Sequence, residues 1–155
     1  TFYIPCLFGL EALVGDELRR LHLKDIRVEN GHVLCCGTVA DVARLNLNLR
    51  CGERVLVVLG AFTASSFDAL FEQTKALPWE NWIPRDGAFP VKGYSLDSTL
   101  HSVPDCQKII KKAVATRLGA KYGTGQLHLL RTVTVERIQN PVVRQGARFV
   151  GRGRQ

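Results

Sequence analysis

The sequence lacks the features of secreted and membrane-spanning proteins. No apolar run approaches the roughly 20 residues that a membrane helix needs, and residues 4–14 are interrupted by Pro5 and Glu11. The N-terminus also lacks a basic region followed by an apolar block and a cleavage site. We therefore expect a cytoplasmic localisation and no membrane partner.

Metal-ligand spacing is missing as well. The five cysteines form no C-x-x-C pair, and the four histidines are scattered along the chain. An odd number of cysteines without a secretory signal favours free thiols over disulfides. We expect no metal site and no disulfide. The residues concerned are Cys6, Cys35, Cys36, Cys51 and Cys106, together with His22, His32, His101 and His128.

No catalytic set is recognisable either. An enzyme acting alone needs a nucleophile, an acid–base pair or a cofactor site. The closest approach is His101 near Asp97 and Ser98, which makes a weak triad because the three residues belong to one loop. Residues 123–125, Gly-Thr-Gly, are too short for a cofactor loop and are interpreted as a turn. We expect no catalytic residue and no bound cofactor in this chain.

The net charge of +7 is unevenly distributed. Residues 1–130 contain 15 Lys and Arg against 13 Asp and Glu, whereas residues 131–155 contain six Arg against one Glu. A basic balance favours nucleic acid or another anionic surface as a partner. The end of the chain, where Arg148 and Arg152 lie among glycines, is either an arm that meets phosphates or a disordered tail. We favour disorder for residues 146–155.

The first sixty residues predict a ferredoxin-like arrangement. They begin with a strand over residues 2–5 and end with a continuous apolar strand over residues 55–59, which is suited to a position covered on both faces. Between them the pattern predicts a helix, a hairpin around an Asn-Gly turn and a second helix, giving the order β-α-β-β-α-β. The helical residues are Leu10, Leu13, Val14, Leu18 and Leu21, then Val39, Val42, Ala43 and Leu49 behind a capping box of Thr38 and Asp41.

The rest of the chain predicts a second unit. A helix is expected after Ser66, and the loop that follows carries Trp79 and Trp82, which we interpret as packing anchors. Residues 89–94 alternate as a strand, and a long helix begins near residue 102. Residues 126–136 are rich in strand-forming residues, and Val142-Val143 is the candidate for their return partner.

The start of the long helix is the most distinctive stretch. Ser102 is a good N-cap, Pro104 fits the first turn, and Asp105 can complete a capping box. Three lysines follow at helical spacing on one flank, and such a flank beside a helix N-terminus can hold a polyanion. Lysines opposite an apolar stripe are also what any soluble amphipathic helix shows, and chemistry alone favours that solvated face. The lysines are Lys108, Lys111 and Lys112.

Several short motifs occur in order along the chain. They are Gly9-Leu10-Glu11, Glu29-Asn30-Gly31, Asn46-Leu47-Asn48-Leu49-Arg50, Arg54-Val55-Leu56, Phe67-Asp68-Ala69-Leu70-Phe71, Leu77-Pro78-Trp79-Glu80 and Ser102-Val103-Pro104-Asp105-Cys106-Gln107 with Lys111-Lys112. In this order they resemble the N-terminal half of the bacterial 23S ribosomal RNA guanine-N2 methyltransferases that carry a THUMP domain. The resemblance runs over residues 2–123, and residues 126–155 depart from the family pattern.

The resemblance implies an α+β protein with helices packed on mixed and antiparallel sheets. Residues 1–62 would form a ferredoxin-like subdomain, and residues 63–145 would form a THUMP domain that binds structured RNA. The RNA expected from the resemblance is large-subunit ribosomal RNA. In the family a methyltransferase domain that uses S-adenosylmethionine follows, and its Asn-Pro-Pro-Tyr-type catalytic motif is absent from these residues. The RNA-binding residues carried over from the resemblance are Lys92, Ser98, Lys108, Lys111 and Lys112.

We therefore expect an RNA-binding module that positions a guanine-N2 methyltransferase domain, present in cis or in trans, on structured RNA. Whether the chain is itself an enzyme is left open by the sequence, and we expect no activity from it alone. Two alternatives stay open. One is a truncated or altered methyltransferase fragment without independent activity, and the other is a stand-alone RNA-binding protein that acts through its basic tail.

Overall fold

The structure is a computed structural model that describes residues 1–85, 89, 91–95, 100–123, 133–138 and 147–151. The chain divides into two compact units after Val58, and the predicted domain boundary after residue 62 falls at the end of the strand that contains Val58. The helices are α1 (Glu11–Arg20), α2 (Val39–Asn48), α3 (Phe67–Ala76) and α4 (Val103–Tyr122). The strands are β1 (Phe2–Pro5), β2 (Lys24–Glu29), β3 (His32–Cys36), β4 (Leu56–Phe62), β5 (Val91–Ser95), β6 (Val133–Ile138) and β7 (Ala147–Gly151).

The first unit has the predicted ferredoxin-like arrangement. Its strands lie in the order β2-β3-β1-β4, and every neighbouring pair is antiparallel. In β1 the Cα of Phe2 faces Cys35 on one side and Val57 on the other, so β1 is a central strand. Side chains from the sheet and from both helices are fully buried between them, among them Ile4, Val14, Leu18, Val33 and Leu45.

Two predictions for the first unit that depend on residues close in sequence are confirmed, namely the capping box of α2 and the hairpin turn at Gly31. The backbone N–H and the hydroxyl of Thr38 both donate to Asp41 Oδ2, at 2.7 and 2.9 Å, which closes the capping box of α2. These hydrogen bonds lower the pKa of the Asp41 carboxyl. Gly31 has a φ of +77° in the hairpin turn, a left-handed conformation that glycine adopts without strain.

Three predicted core positions in this unit are wrong. Leu13 is 51% exposed, Val39 is 76% exposed, and Ala43 is exposed as well. Helix α1 instead buries Gly15, where a Cβ would lie 3.0 Å from Val28 Cγ2, so the missing side chain lets the helix approach β2. Helix α2 is anchored by Leu45, which the periodicity did not single out. In both helices the apolar residues occupy a wider face than the one that packs against the sheet, so some of them are exposed.

In the second unit, α3 and α4 pack against each other around a core that includes Leu70, Ile110, Val114 and Leu118. Helix α3 begins as predicted, because Ser66 Oγ accepts a hydrogen bond from Ala69 N at 3.1 Å. Strand β5 is parallel to β6, and β6 is antiparallel to β7, so the sheet is mixed. The fold class is α+β in both units.

The two tryptophans are packing residues, as predicted. Trp79 is fully buried in a short 3₁₀ turn, and its indole N–H donates to Thr74 O at 2.7 Å. Trp82 is half-buried against the same core. A buried indole with a satisfied N–H is unavailable for stacking on a base.

The C-terminal part departs from the sequence prediction. The strand that pairs with β6 is β7, Ala147–Gly151, whereas the predicted partner at 142–143 lies outside the described residues, as do 126–132 of the predicted strand. Disorder was predicted for residues 146–155, and this is wrong for β7, because pairing with β6 supplies backbone hydrogen bonds that composition does not reveal. Residues 146 and 152–155 lie outside the described part of the chain.

Candidate nucleic-acid interface

The start of α4 differs in one detail from the predicted cap. Cys106 N donates to Ser102 O at 3.0 Å, so Ser102 is the N-cap, and Pro104 lies in the first turn. The Ser102 hydroxyl donates to Asp105 Oδ2 at 2.5 Å rather than accepting from the helix backbone. That hydrogen bond, followed by the nearby Lys108, lowers the pKa of the Asp105 carboxyl. The predicted capping box is therefore incomplete, and a carboxylate occupies the end of the helix where an anion would bind.

The three lysines of α4 are exposed and share one flank, as predicted. Lys108 Nζ lies 3.5 Å from Asp105 Oδ1, which partly balances its charge. Lys111 and Lys112 have no ion pair within the described part of the chain. Among these three lysines, positive charge is therefore least compensated at Lys111 and Lys112, about two turns into the helix, and not at its N-terminus.

A lysine from α3 joins this flank, and sequence reasoning missed it. Lys75 Nζ lies 5.6 Å from the centroid of the Phe71 ring, and Lys112 Nζ lies 5.8 Å from the same centroid. Lys75 also lies 3.6 Å from Glu72 Oε2. Phe71 and Lys75 are visible in the sequence as an i, i+4 pair. The approach of Lys112 depends on the packing of α3 against α4, which no local pattern reveals.

Arg117 of α4 stabilises the fold and does not add a free positive charge to the lysine flank. Its Nε and Nη2 donate to the two carboxylate oxygens of Glu80 at 3.1 and 2.7 Å. These bonds lower the pKa of the Glu80 carboxyl to about 2. Tyr122 Oη lies 3.0 Å from Glu80 O and 3.1 Å from Ile83 O, two acceptors for its hydroxyl. We call the paired hydrogen bonds between Glu80 and Arg117 the clamp, and the 3₁₀ turn Trp79–Asn81 the tryptophan turn. The clamp holds the tryptophan turn against α4 and neutralises the charge of Arg117.

Of the four remaining predicted residues, Lys92 is the one whose side chain the structure describes. Lys92 is exposed on β5, while its neighbour Val91 packs against the core beneath α4. Because side chains alternate along a strand, Lys92 faces away from that core. Ser98 and Arg152 lie outside the described residues, and Arg148 is known only by its backbone position in β7, opposite Glu136. The RNA-binding roles of these four residues stay predictions.

Other kinds of site find no support among the described residues. No group of three or more His, Cys, Asp or Glu there is placed to hold a metal ion. All five cysteines are free, and burial raises the pKa of the Cys35 thiol to about 11. His101 is exposed, and its two partners in the weak triad lie outside the described part of the chain. Within that part, no helix combines the length and the apolar character that a bilayer crossing needs.

The fold agrees with two family models. A model of the RlmL ferredoxin-like domain matches residues 1–56, and a model of the THUMP domain matches residues 64–126. The first covers β1, α1, β2, β3 and α2 and ends at Leu56, the first residue of β4. The second contains α3, the tryptophan turn, β5 and α4. The chain therefore contains a ferredoxin-like domain of the RlmL type followed by a THUMP domain.

Its relatives are methyltransferases by name. YpsC of Bacillus subtilis (strain 168), whose name assigns it to the RNA methyltransferases, is 46% identical over 123 residues, which are 79% of this chain and 32% of YpsC. The ribosomal RNA large subunit methyltransferase K/L of Pseudomonas putida (strain W619) is 31% identical over 101 residues, 63% of this chain and 14% of that protein.

A solved structure from Listeria monocytogenes (str. 4b F2365) is also similar. It is described as a predicted N6-adenine-specific DNA methylase and superposes with a TM-score of 0.87 at 43% identity. The match covers 97% of this chain and 39% of that one. The chain thus spans about a third of YpsC, 39% of the Listeria protein and a smaller part of methyltransferase K/L.

Proposed function

We propose that this chain is an RNA-binding module that positions a methyltransferase domain on large-subunit ribosomal RNA. The observation that carries the proposal is the exposed lysine flank of α4, which lies in a THUMP domain whose relatives are named RNA methyltransferases. Phosphate contacts orient a protein on a duplex without reading its sequence. Double-stranded RNA is recognised mostly by its shape and backbone, so a basic helix flank suits this task.

The methyltransferase domain would lie in the same polypeptide or in a second one. We propose that it binds S-adenosylmethionine and that its target is N2 of a guanine in the ribosomal RNA. The support for this target is the resemblance carried by the ordered motifs, above all residues 102–112. The part played by the present chain is to hold the RNA while chemistry takes place elsewhere.

The carboxylates near each basic residue of α4 predict how much that residue contributes to RNA binding. Lys111 and Lys112 should contribute most, because no carboxylate pairs with them within the described residues. Lys108 should contribute less, because Asp105 lies 3.5 Å away and would itself repel a phosphate. Arg117 should contribute little, because its Nε and Nη2 already donate to the Glu80 carboxylate.

The test is a triple variant, Lys108→Gln, Lys111→Gln and Lys112→Gln, titrated against a structured ribosomal RNA hairpin from 50 to 200 mM salt. We expect weaker binding and a salt slope lower by up to about 3, since each phosphate contact contributes about 0.9 to the slope. Thermal unfolding should change little because the three side chains are exposed.

The matched control removes three exposed charges from the first unit, Arg20→Gln, Lys24→Gln and Arg27→Gln. It equals the test variant in net charge. An unchanged slope in the test variant would move the RNA site away from α4. An equal loss in both variants would show general attraction between opposite charges instead of a defined interface.

A further inference from the structure

Phe71 brings together two lysines from different helices. Lys75 on α3 and Lys112 on α4 each have Nζ within 6 Å of the Phe71 ring centroid, at 5.6 and 5.8 Å. The two ammonium groups therefore lie at most about 11 Å apart, the sum of these two distances. Both distances fall within the range of a cation–π interaction, so the ring attracts both charges.

The charge on this pair is only partly compensated. Glu72 Oε2 lies 3.6 Å from Lys75 Nζ, but its side chain is 66% exposed, and such a surface pair screens a charge weakly. Lys112 has no ion pair in the part of the chain that the structure describes. Two neighbouring cations with one exposed carboxylate leave a net positive charge that an anion would relieve.

The ring also restricts where the charges can lie. Lysine is a flexible side chain that loses conformational entropy when a ligand orders it. Attraction to the Phe71 ring holds both ammonium groups near the surface between α3 and α4, which reduces that loss on binding. A pair arranged in this way suits a ligand whose negative charges are spaced along a backbone.

We infer that Lys75 and Lys112, with Phe71 between them, form a phosphate-binding pair that extends the RNA interface from α4 onto α3. The ligand is the phosphodiester backbone of structured RNA, read without regard to base sequence. The inference rests on the proposed function, because it uses the same RNA and one of the same lysines. It adds Lys75 and Phe71, to which the resemblance assigns no RNA-binding role.

The first experiment measures Lys75→Gln against the same RNA hairpin from 50 to 200 mM salt. If Lys75 contacts one phosphate, the advantage of the unmodified chain over the variant should shrink by about 3.5-fold across that range, from a slope of about 0.9 per phosphate. The matched control is Lys121→Gln, an exposed lysine on α4 that lies roughly 13.5 Å along the helix from Lys112. Lys75→Arg should keep the salt slope.

The second experiment isolates the ring. Phe71→Leu keeps every charge and an apolar side chain, so the salt slope should stay while affinity falls, because the lysines lose their positioning. Unchanged affinity would overturn the role assigned to the ring. Equal behaviour of Lys75→Gln and Lys121→Gln would overturn the lysine pair and leave the proposed function standing. The proposed function fails separately, if the unmodified chain does not bind the hairpin. A triple variant that binds as tightly as the unmodified chain would move the RNA site away from α4.

Discussion

At the scale of single residues, Glu80 links the tryptophan turn to α4 by hydrogen bonds. Its carboxylate accepts both guanidinium hydrogen bonds of Arg117, and Tyr122 Oη lies within hydrogen-bonding distance of its backbone oxygen. A paired arrangement of this kind has more geometric specificity than a single surface ion pair. Trp79, buried one residue before Glu80, is thereby held beside the helix that carries the lysine flank.

We predict that Glu80→Gln lowers the melting temperature at pH 7 and removes part of the acid sensitivity of the protein. The pKa of this carboxyl is lowered from 4.5 to about 2, so its stabilising effect is complete above about 4.5 and is lost as the pH falls through about 2. The variant and the unmodified chain should therefore differ most above pH 4.5 and converge near pH 2 in thermal unfolding.

Glu72→Gln is the control for this measurement. It removes a carboxylate of the same unit that is 66% exposed and pairs with Lys75 at 3.6 Å, so its unfolding should scarcely change. Parallel pH profiles for Glu80→Gln and the unmodified chain would contradict the clamp.

At the scale of elements, two separate sequence motifs form one structural feature. Glu11, in the first turn of α1, accepts hydrogen bonds from Gly9 N at 2.8 Å and from Gly31 N at 2.9 Å. The carboxylate therefore ties the loop after β1 to the tip of the β2–β3 hairpin. The bond from Gly31 is the largest cause of the lowered pKa of Glu11. The motifs around Gly9 and Gly31 serve the fold of the first unit.

We predict that Glu11→Ala destabilises the first unit and speeds amide hydrogen exchange at Gly31, because two backbone N–H groups lose their acceptor. Glu11→Gln should be milder, since its side-chain oxygen can still accept. Asp16→Ala, which removes an exposed carboxylate from the same helix, is the control. Exchange at Gly31 that is unaffected by Glu11→Ala would rule out the tie.

The elements also show which features a sequence reveals. The capping box of Thr38, the hairpin turn at Gly31 and the cap at Ser66 depend on residues a few positions apart, and all three were predictable. The contacts that build the candidate site, from Lys75 to Lys112 through Phe71 and from Glu80 to Arg117, join segments distant in sequence. They are fixed by helix packing and burial, which periodicity does not specify.

At the scale of the whole molecule, the question is which positive charges recognise RNA. Residues 131–155 contain six Arg and one Glu, so much of the net charge of +7 lies at the end of the chain. Those arginines would attract any polyanion, structured or not. The lysines of α4 are held on a helix that packs against α3, and a fixed array of cations can match the spacing of phosphates in an RNA helix. The C-terminal arginines and the lysines of α4 should therefore have separable effects on RNA binding.

We predict that two variants with equal loss of charge behave differently. Lys111→Gln with Lys112→Gln should lower the preference for an RNA hairpin over a single strand of the same composition, whereas Arg152→Gln with Arg154→Gln should weaken binding to both RNAs alike. Substitution is preferable to truncation after residue 145, because truncation would remove β7. The measurement is competition between the two RNAs at fixed salt. A separate salt titration should show a slope lower by up to about 2 for each variant. If the arginine variant alone loses the preference for the hairpin, RNA recognition lies in the C-terminal segment, and the α4 flank is a solvated helix face.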